Sequence, residues 1–192
     1  LHAVNPYEGF DASGLELSLE GWNSHRQTLE EMIDLTRPEL IIEVGSWKGA
    51  SAIHLAKLIK KKGLKAKILC VDTWLGSLDF WPDKTDKVRS PAVGLQNGYP
   101  TVYRQFLFNV LYFGHEDVII PFPQTSLIAS RWLRWKGMSA DLIDIDASHD
   151  EKDVYEDVAH YYGHVKEGGI LFGDDYYEEC VSVKNAVQKF YA

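Results

Sequence analysis

Short apolar runs alternate along this chain with longer segments in which apolar residues recur every three or four positions. The short runs predict buried strands and the longer segments predict amphipathic helices. The predicted strands are Leu40–Val44, Lys67–Asp72, Val118–Phe122, Asp141–Asp146 and Gly169–Asp174. The predicted helices are Ser24–Leu35, Ala50–Lys62, Tyr99–Phe113, Ser126–Lys136, Asp150–Val165 and Val181–Tyr191.

This order predicts a single α/β domain over residues 1–192, in which residues 1–37 form an N-terminal helical segment ahead of the sheet. Strands that are apolar throughout are covered on both faces, and strands that alternate with helices are parallel. The expected fold is a Rossmann-like doubly wound sheet. Ligands of such sheets bind beyond the carboxyl ends of the strands.

Composition narrows the choice of partner and compartment. The net charge is −8, which opposes binding of nucleic acid and favours a small molecule. No run is long enough for a membrane span, and Cys70 and Cys180 suit neither a disulfide framework nor a zinc site. The basic stretch Lys57–Lys67 lies at a helix end and is expected to be a solvated face rather than an anion site. We therefore expect a cytoplasmic protein with no membrane partner.

The first strand-to-helix turn reads EVGSWKGAS, from Glu43 to Ser51. Gly45 permits a sharp turn off the strand, and Gly49 permits close approach to the helix start. The spacing is not the G-x-G-x-x-G that binds a diphosphate. Asp72, at the end of the second strand, has the position of a ribose acceptor. The turn therefore predicts a nucleoside ligand without a diphosphate; alternatively, Gly45 is a simple turn and Asp72 a helix cap.

The Glu43–Gly49 turn together with Asp72 resembles class I S-adenosylmethionine-dependent methyltransferases, over roughly Leu40 to Phe190. The resemblance implies S-adenosylmethionine as cofactor and the order 3-2-1-4-5 for the parallel strands. Glu43 would orient the amino group, Asp72 would hold the ribose, and Thr73 or Trp74 would border the adenine. The implied cofactor-binding residues are Glu43, Gly45, Ser46, Trp47, Gly49, Ser51, Asp72, Thr73, Trp74, Thr125 and Ser126. For Thr125 and Ser126 the alternative is a helix N-cap.

Acidic residues follow the last two predicted strands. Asp146 ends the fourth strand, and Asp174 and Asp175 end the fifth, so the three carboxylates are expected to converge on a hard divalent cation, Mg²⁺ or Mn²⁺. Consecutive strand residues face opposite sides, so Asp174 and Asp175 can share an ion only if the chain turns at Asp175. The alternative is a solvated acidic rim.

This pattern resembles metal-dependent small-molecule O-methyltransferases of the catechol-type and macrocin-type sugar branches. The resemblance implies methylation of a small hydroxylated acceptor, such as a sugar or natural product, with Asp146 and His149 as catalytic residues. His149 is expected to take the hydroxyl proton; alternatively, it is a helix-entry residue beside Asp150, which caps the next helix.

Residues 73–100 form a lid-like insertion between a strand and a helix, and its aromatic residues include Trp74, Phe80 and Trp81. We expect this insertion to cover the substrate; alternatively, it is a packed Ω-loop. Trp132 and Trp135 are expected to face the core together.

The chain ends at Ala192, before the sixth and seventh strands usual in this class. A trimmed chain, a longer protein, or a homo-oligomer that covers the edge of the fifth strand would each account for this.

The sequence is also compatible with two other functions. One is a nicotinamide-dependent oxidoreductase, which the glycine spacing and the Asp pair disfavour. The other is a non-catalytic nucleoside-binding module of the same fold.

Overall fold

A computed structural model describes residues 1–21, 24–77 and 93–192. The helices are α1 (Gln27–Thr36), α2 (Ala50–Lys61), α3 (Val102–Tyr112), α4 (Ser126–Lys136), α5 (Glu151–Tyr162) and α6 (Val181–Tyr191). The strands are β1 (Leu40–Val44), β2 (Lys67–Asp72), β3 (Leu95–Gln96), β4 (Tyr99–Pro100), β5 (Ile119–Pro123), β6 (Ala140–Ile145) and β7 (Val165–Gly173). Most of the predicted lid, with Phe80 and Trp81, lies outside the described residues.

The main sheet has the order β5-β2-β1-β6-β7, and all its pairings are parallel. Numbered by these strands alone, this is the predicted order 3-2-1-4-5, so the Rossmann-like fold is confirmed. The antiparallel pair β3 and β4 was not predicted. Strand order reverses at β1, which places the expected ligand position beyond the carboxyl ends of β1, β2 and β6.

Two apolar clusters cover the faces of the sheet. Alternate side chains of one strand enter opposite clusters, as Ile41 and Ile42 of β1 do. The first cluster includes apolar residues of α1, α2 and α3, and the second includes those of α4, α5 and α6. The expectation of a sheet covered on both faces is confirmed.

The prediction that Trp132 and Trp135 both face the core is wrong for Trp135. Its side chain is 75% exposed, and Lys136 Nζ lies 4.0 Å from its ring centroid. The buried stripe of α4 consists of Ala129, Ser130 and Leu133, so a residue two positions after Leu133 falls on the outer side. Trp132 lies at the border of the stripe and contacts Phe122 edge-on.

Lysines of the basic stretch form ion pairs at the surface. Lys60 pairs with Asp117 at 2.7 Å, and Lys62 pairs with Asp34 at 2.6 Å. In the described part of the chain, none of the helices has the length and hydropathy needed to cross a bilayer.

Candidate active site

A cleft of about 1380 Å³ opens beyond the carboxyl ends of β1, β2 and β6, and we name it the strand-end cleft. The glycine turn, Asp72, Thr73 and the start of α4 line one part, the donor half. The ends of β6 and β7 and one face of α5 line the other part, the acceptor half. The topology therefore brings most of the predicted site residues to one cavity.

The glycine turn needs its two glycines for different reasons. Gly45 has a φ of +92°, and a Cβ there would lie 2.0 Å from the carbonyl oxygen of Asp146. Gly49 has a φ of +85° at the N-cap of α2, where a Cβ would lie 3.0 Å from the Phe106 ring. Gly45 therefore lets the two halves of the cleft touch, whereas Gly49 mainly permits the left-handed turn.

Asp72 holds the glycine turn in place. Its Oδ2 accepts the backbone N–H groups of Ser46 and Trp47 at 2.9 and 2.8 Å, and its Oδ1 accepts that of Trp74 at 2.7 Å. Burial raises the pKa of Asp72, and these N–H groups act in the opposite direction. The predicted ribose contact stays a prediction; the carboxylate already accepts three of the about four hydrogen bonds that its lone pairs allow.

Glu43 lies behind the donor half rather than on its surface. Its Oε1 accepts a 2.6 Å hydrogen bond from the Ser51 hydroxyl, and the Cys70 thiol lies 3.6 Å from its Oε2. Ser51 lines the cleft, whereas Glu43 is 1% exposed and does not. Burial raises the pKa of Glu43 to about 7. A strand residue that faces α2 is covered by that helix, and the role expected for Glu43, to orient the amino group of the methionine, stays a prediction.

Trp74 also differs from its predicted place beside adenine. Its side chain is 1% exposed, its ring contacts those of Tyr103 and Phe106, and its Nε1 donates to the Trp47 carbonyl at 2.7 Å. A left-handed backbone at Trp74, with φ of +53°, turns the side chain into the core. Thr73 remains at the cleft, as predicted.

Thr125 and Ser126 line the cleft where α4 begins. The Thr125 hydroxyl accepts the Ile128 N–H at 3.3 Å, so the N-cap alternative holds for this residue. The Ser126 carbonyl accepts from the Tyr161 hydroxyl at 3.0 Å. Gln124, which was not predicted, precedes them on the same wall.

Asp146, His149 and Asp175 form a compact group in the acceptor half, which we name the acid–histidine cluster. One potential ligand atom from each lies within 4.8 Å of the others, and His149 Nε2 is 2.8 Å from Asp175 Oδ2. Burial, with Asp174 and Asp175 nearby, raises the pKa of Asp146 to about 6. Oxygen and imidazole nitrogen donors at this spacing suit a divalent cation such as Mg²⁺ or Mn²⁺.

Asp174 lines the cleft but is not in this cluster. Its Oδ1 accepts from Arg26 Nη1 at 2.9 Å and from the Asp175 N–H at 2.8 Å. Asp175 has a φ of +60°, so the chain turns there, as a shared ion requires. The structure therefore brings together two of the three predicted carboxylates, with His149 in the place expected for Asp174.

Sequence reasoning missed Arg26 and Asp144. Asp144 faces the same side as Glu43, its neighbour across the β1–β6 pairing, and is 2% exposed. Burial and then Glu43 raise its pKa well above the ordinary value, and its Oδ1 has no hydrogen-bond partner among the described residues. For Asp144, the available sequence signal was an acidic residue inside the apolar run DLIDI. For Arg26, the sequence carries no local signal of a role in the site.

A doubly wound parallel sheet, a glycine turn after β1 and a cleft at the reversal of strand order are features of Rossmann-like nucleotide-binding folds. A family model described as a methyltransferase domain matches residues 42–176. The chain belongs to this family, and the predicted methyltransferase class is confirmed.

Solved structures share the fold at low sequence identity. The O-methyltransferase from Bacillus cereus, in complex with SAH, has a TM-score of 0.61 at 15% identity, and the match covers 91% of this chain and 70% of that chain. TomG, an O-methyltransferase from Streptomyces achromogenes involved in tomaymycin synthesis and solved with SAM, gives 0.61 at 13%, covering 91% and 68%. No curated protein matches the sequence.

Proposed function

We propose that this protein transfers a methyl group from S-adenosylmethionine to a hydroxyl group of a small acceptor, with a divalent cation at the acid–histidine cluster. One observation carries the proposal. The glycine turn and the cluster line a single cleft, and the two halves meet where Gly45 packs against the Asp146 carbonyl. A donor and an acceptor bound in these halves would be held side by side.

The donor half suits S-adenosylmethionine, which supplies an electrophilic methyl group when bound. Helix α2 starts at Gly49 without a capping side chain among the described residues, so its positive end suits a carboxylate. Ser51 lines the cleft beside this helix start, and Thr73 and Thr125 border the wall expected for the nucleoside. The many carboxylates of the cleft favour the positively charged donor over its neutral thioether product.

The acceptor half suits a cation, which when bound would make a nearby acceptor hydroxyl more acidic. Asp146, His149 and Asp175 would hold it. His149 Nε2 lies 2.8 Å from Asp175 Oδ2, so this nitrogen is placed to ligate the same cation, whereas the sequence predicted that it takes the hydroxyl proton. His149→Ala separates the two roles: a ligand role predicts weaker Mn²⁺ binding, and a base role predicts a lower kcat at unchanged Mn²⁺ affinity.

The acceptor itself is expected to be neutral or cationic. Asp153, Glu156 and Asp157 of α5 line the cleft, and the described lining residues include neither Lys nor Arg. A phosphate or carboxylate on the acceptor would meet like charge. Hydroxylated sugars, amino sugars and phenols therefore remain. A cytoplasmic location and a homo-oligomer through the outer edge of β7 stay predictions.

Labelled methyl transfer from S-adenosylmethionine to a panel of such acceptors tests the proposal. We expect product with Mg²⁺ and none with excess chelator, while S-adenosylhomocysteine still raises the melting temperature. Asp146→Asn should abolish transfer, whereas Asp150→Asn, a change at the exposed cap of α5, should not. Full transfer in chelator would reject the cation, and stabilisation by NAD without stabilisation by S-adenosylhomocysteine would favour an oxidoreductase.

A further inference from the structure

Arg26 is a charged residue of the N-terminal segment that reaches the acceptor half from outside the sheet. It precedes α1, is 148 positions from Asp174 in sequence, and donates from Nη1 to Asp174 Oδ1 at 2.9 Å. The Arg26 and Asp174 side chains are 29% and 14% exposed, so solvent screens the pair only in part. This ion pair also acts on Asp175, the residue after Asp174, through the hydrogen bond between these two residues.

The Asp174 oxygen that accepts from Arg26 also fixes the backbone of Asp175. Asp174 Oδ1 accepts the Asp175 N–H at 2.8 Å, and Asp175 has a φ of +60°. A left-handed conformation is unfavourable for a residue with a side chain, so it persists only where its surroundings hold it. Here the bond from the Asp175 N–H to the Asp174 carboxylate holds it, and Arg26 fixes that carboxylate.

The turn at Asp175 decides where its side chain points. With the turn in place, Asp175 Oδ2 lies 2.8 Å from His149 Nε2 and within the 4.8 Å group that includes Asp146. Had the strand continued, successive side chains would face opposite sides and Asp175 would not share the side of Asp174. The contacts therefore form one chain, from Arg26 through Asp174 and the Asp175 backbone to the acid–histidine cluster.

We propose that Arg26 is a positioning residue for the cation site, acting through Asp174 to hold Asp175 in the left-handed turn that aims its carboxylate at the cluster. This inference rests on the proposed function, because it assigns Asp175 as a cation ligand. Asp174 Oδ1 is then the anchor that links Arg26 to the turn. Residues that orient metal ligands typically contribute about 10–100-fold to metal affinity.

Mn²⁺ binding, measured from the paramagnetic resonance signal of the free ion with S-adenosylhomocysteine present, tests the proposal without an acceptor. We expect Arg26→Gln to weaken Mn²⁺ binding about 10–100-fold, and Arg26→Lys, which keeps one charged donor, to restore part of the loss. Affinity for S-adenosylhomocysteine should stay within about twofold, because the donor half is held by Asp72. Glu30→Gln is the matched control, since it removes the ion pairs that Glu30 of α1 makes with Lys61 and Lys62 and should leave Mn²⁺ affinity unchanged.

A double-mutant cycle distinguishes action through Asp174 from a general loss of structure. If Arg26 acts through Asp174, Arg26→Gln should add little to the loss already caused by Asp174→Asn. Additive losses, or an unchanged or tighter Mn²⁺ affinity in Arg26→Gln, would overturn the inference while wild-type Mn²⁺ binding left the proposed function standing. Failure of the wild type to bind Mn²⁺ would instead reject the cation site itself and the inference with it.

Discussion

The two halves of the strand-end cleft are held in place by different kinds of interaction. In the donor half, the Asp72 carboxylate accepts the backbone N–H groups of Ser46 and Trp47 in the glycine turn and that of Trp74. In the acceptor half, Asp146, His149 and Asp175 lie close together, and Asp174 beside them pairs with Arg26. Backbone N–H groups thus stabilise the carboxylate of the donor half, whereas the acceptor half brings together like charges that a cation would neutralise.

This difference suggests a division of labour. A cofactor that serves many reactions needs a binding loop of constant conformation. Backbone hydrogen bonds to the buried Asp72 carboxylate hold the glycine turn in such a conformation. An acceptor site built from side chains that follow β6 and β7, and from α5, can change without disturbing the glycine turn and Asp72. Ligands of the two halves should therefore bind nearly independently, except where Gly45 and the Asp146 carbonyl touch.

Gly45→Ala should have the largest effect, because it acts on that contact. A Cβ would lie 2.0 Å from the Asp146 carbonyl oxygen at a φ of +92°, so both the backbone and the neighbouring loop must move. We expect a loss of about 2–5 kcal/mol in unfolding free energy and loss of both ligands. Gly63→Ala is the control, since it has a φ of +64° but nothing within 4 Å, and it should cost about 1 kcal/mol. Equal losses measured by urea denaturation would contradict the contact.

Asp72→Asn tests whether the donor half depends on a full carboxylate. An amide offers one acceptor oxygen and an NH₂ group that cannot accept, so at least one of the three N–H groups bound by Asp72 loses its acceptor. The expected cost is about 1–3 kcal/mol in stability, with weaker binding of S-adenosylhomocysteine. Mn²⁺ binding in the acceptor half should change less. Calorimetry that showed the opposite order, with Mn²⁺ more affected than S-adenosylhomocysteine, would contradict the assignment of the halves.

Glu43 predicts a specific dependence of stability on pH. Burial raises its pKa from 4.5 to about 7, so the folded protein binds this proton more tightly than the unfolded chain does. That contribution is complete below pH 4.5 and is lost as the pH rises through about 7. Glu43→Gln lacks it, so the stability of the variant relative to wild type should rise across this range. Urea denaturation at several pH values measures the difference, and a constant difference would show that Glu43 is not protonated in the fold.

The smallest effects are expected at the two helix caps, one in each half. Thr125 caps α4 beside the donor half, and Asp150 caps α5 beside the acceptor half. Replacement of either by Ala should cost about 1 kcal/mol in unfolding free energy, because one helix N–H loses its acceptor. Neither change should shift ligand affinity more than about twofold. A large drop in S-adenosylhomocysteine affinity for Thr125→Ala alone would show that its hydroxyl also contacts the cofactor.

Local patterns were enough to predict the sheet and the glycine turn, but not the partners of the site residues. The apolar runs of β1 and β2 have the same bounds in sequence and structure, because buried parallel strands carry a strong local signal. The prediction for Trp74 was wrong because its burial depends on contacts with Tyr103 and Phe106 in helix α3. Arg26 was missed because its partner lies 148 positions away. Contacts between residues that lie so far apart in sequence produce no hydrophobic periodicity from which they could be predicted.

The proposed function requires that a cation held by Asp146, His149 and Asp175 shares one cleft with the methyl donor. A crystal grown with S-adenosylhomocysteine and Mn²⁺ would show the cation through its anomalous signal. We expect S-adenosylhomocysteine in the donor half and one anomalous peak bonded to these three side chains, with Asp174 still paired to Arg26. S-adenosylhomocysteine bound without an anomalous peak in the acceptor half, or a peak ligated by Asp174 in place of His149, would contradict it.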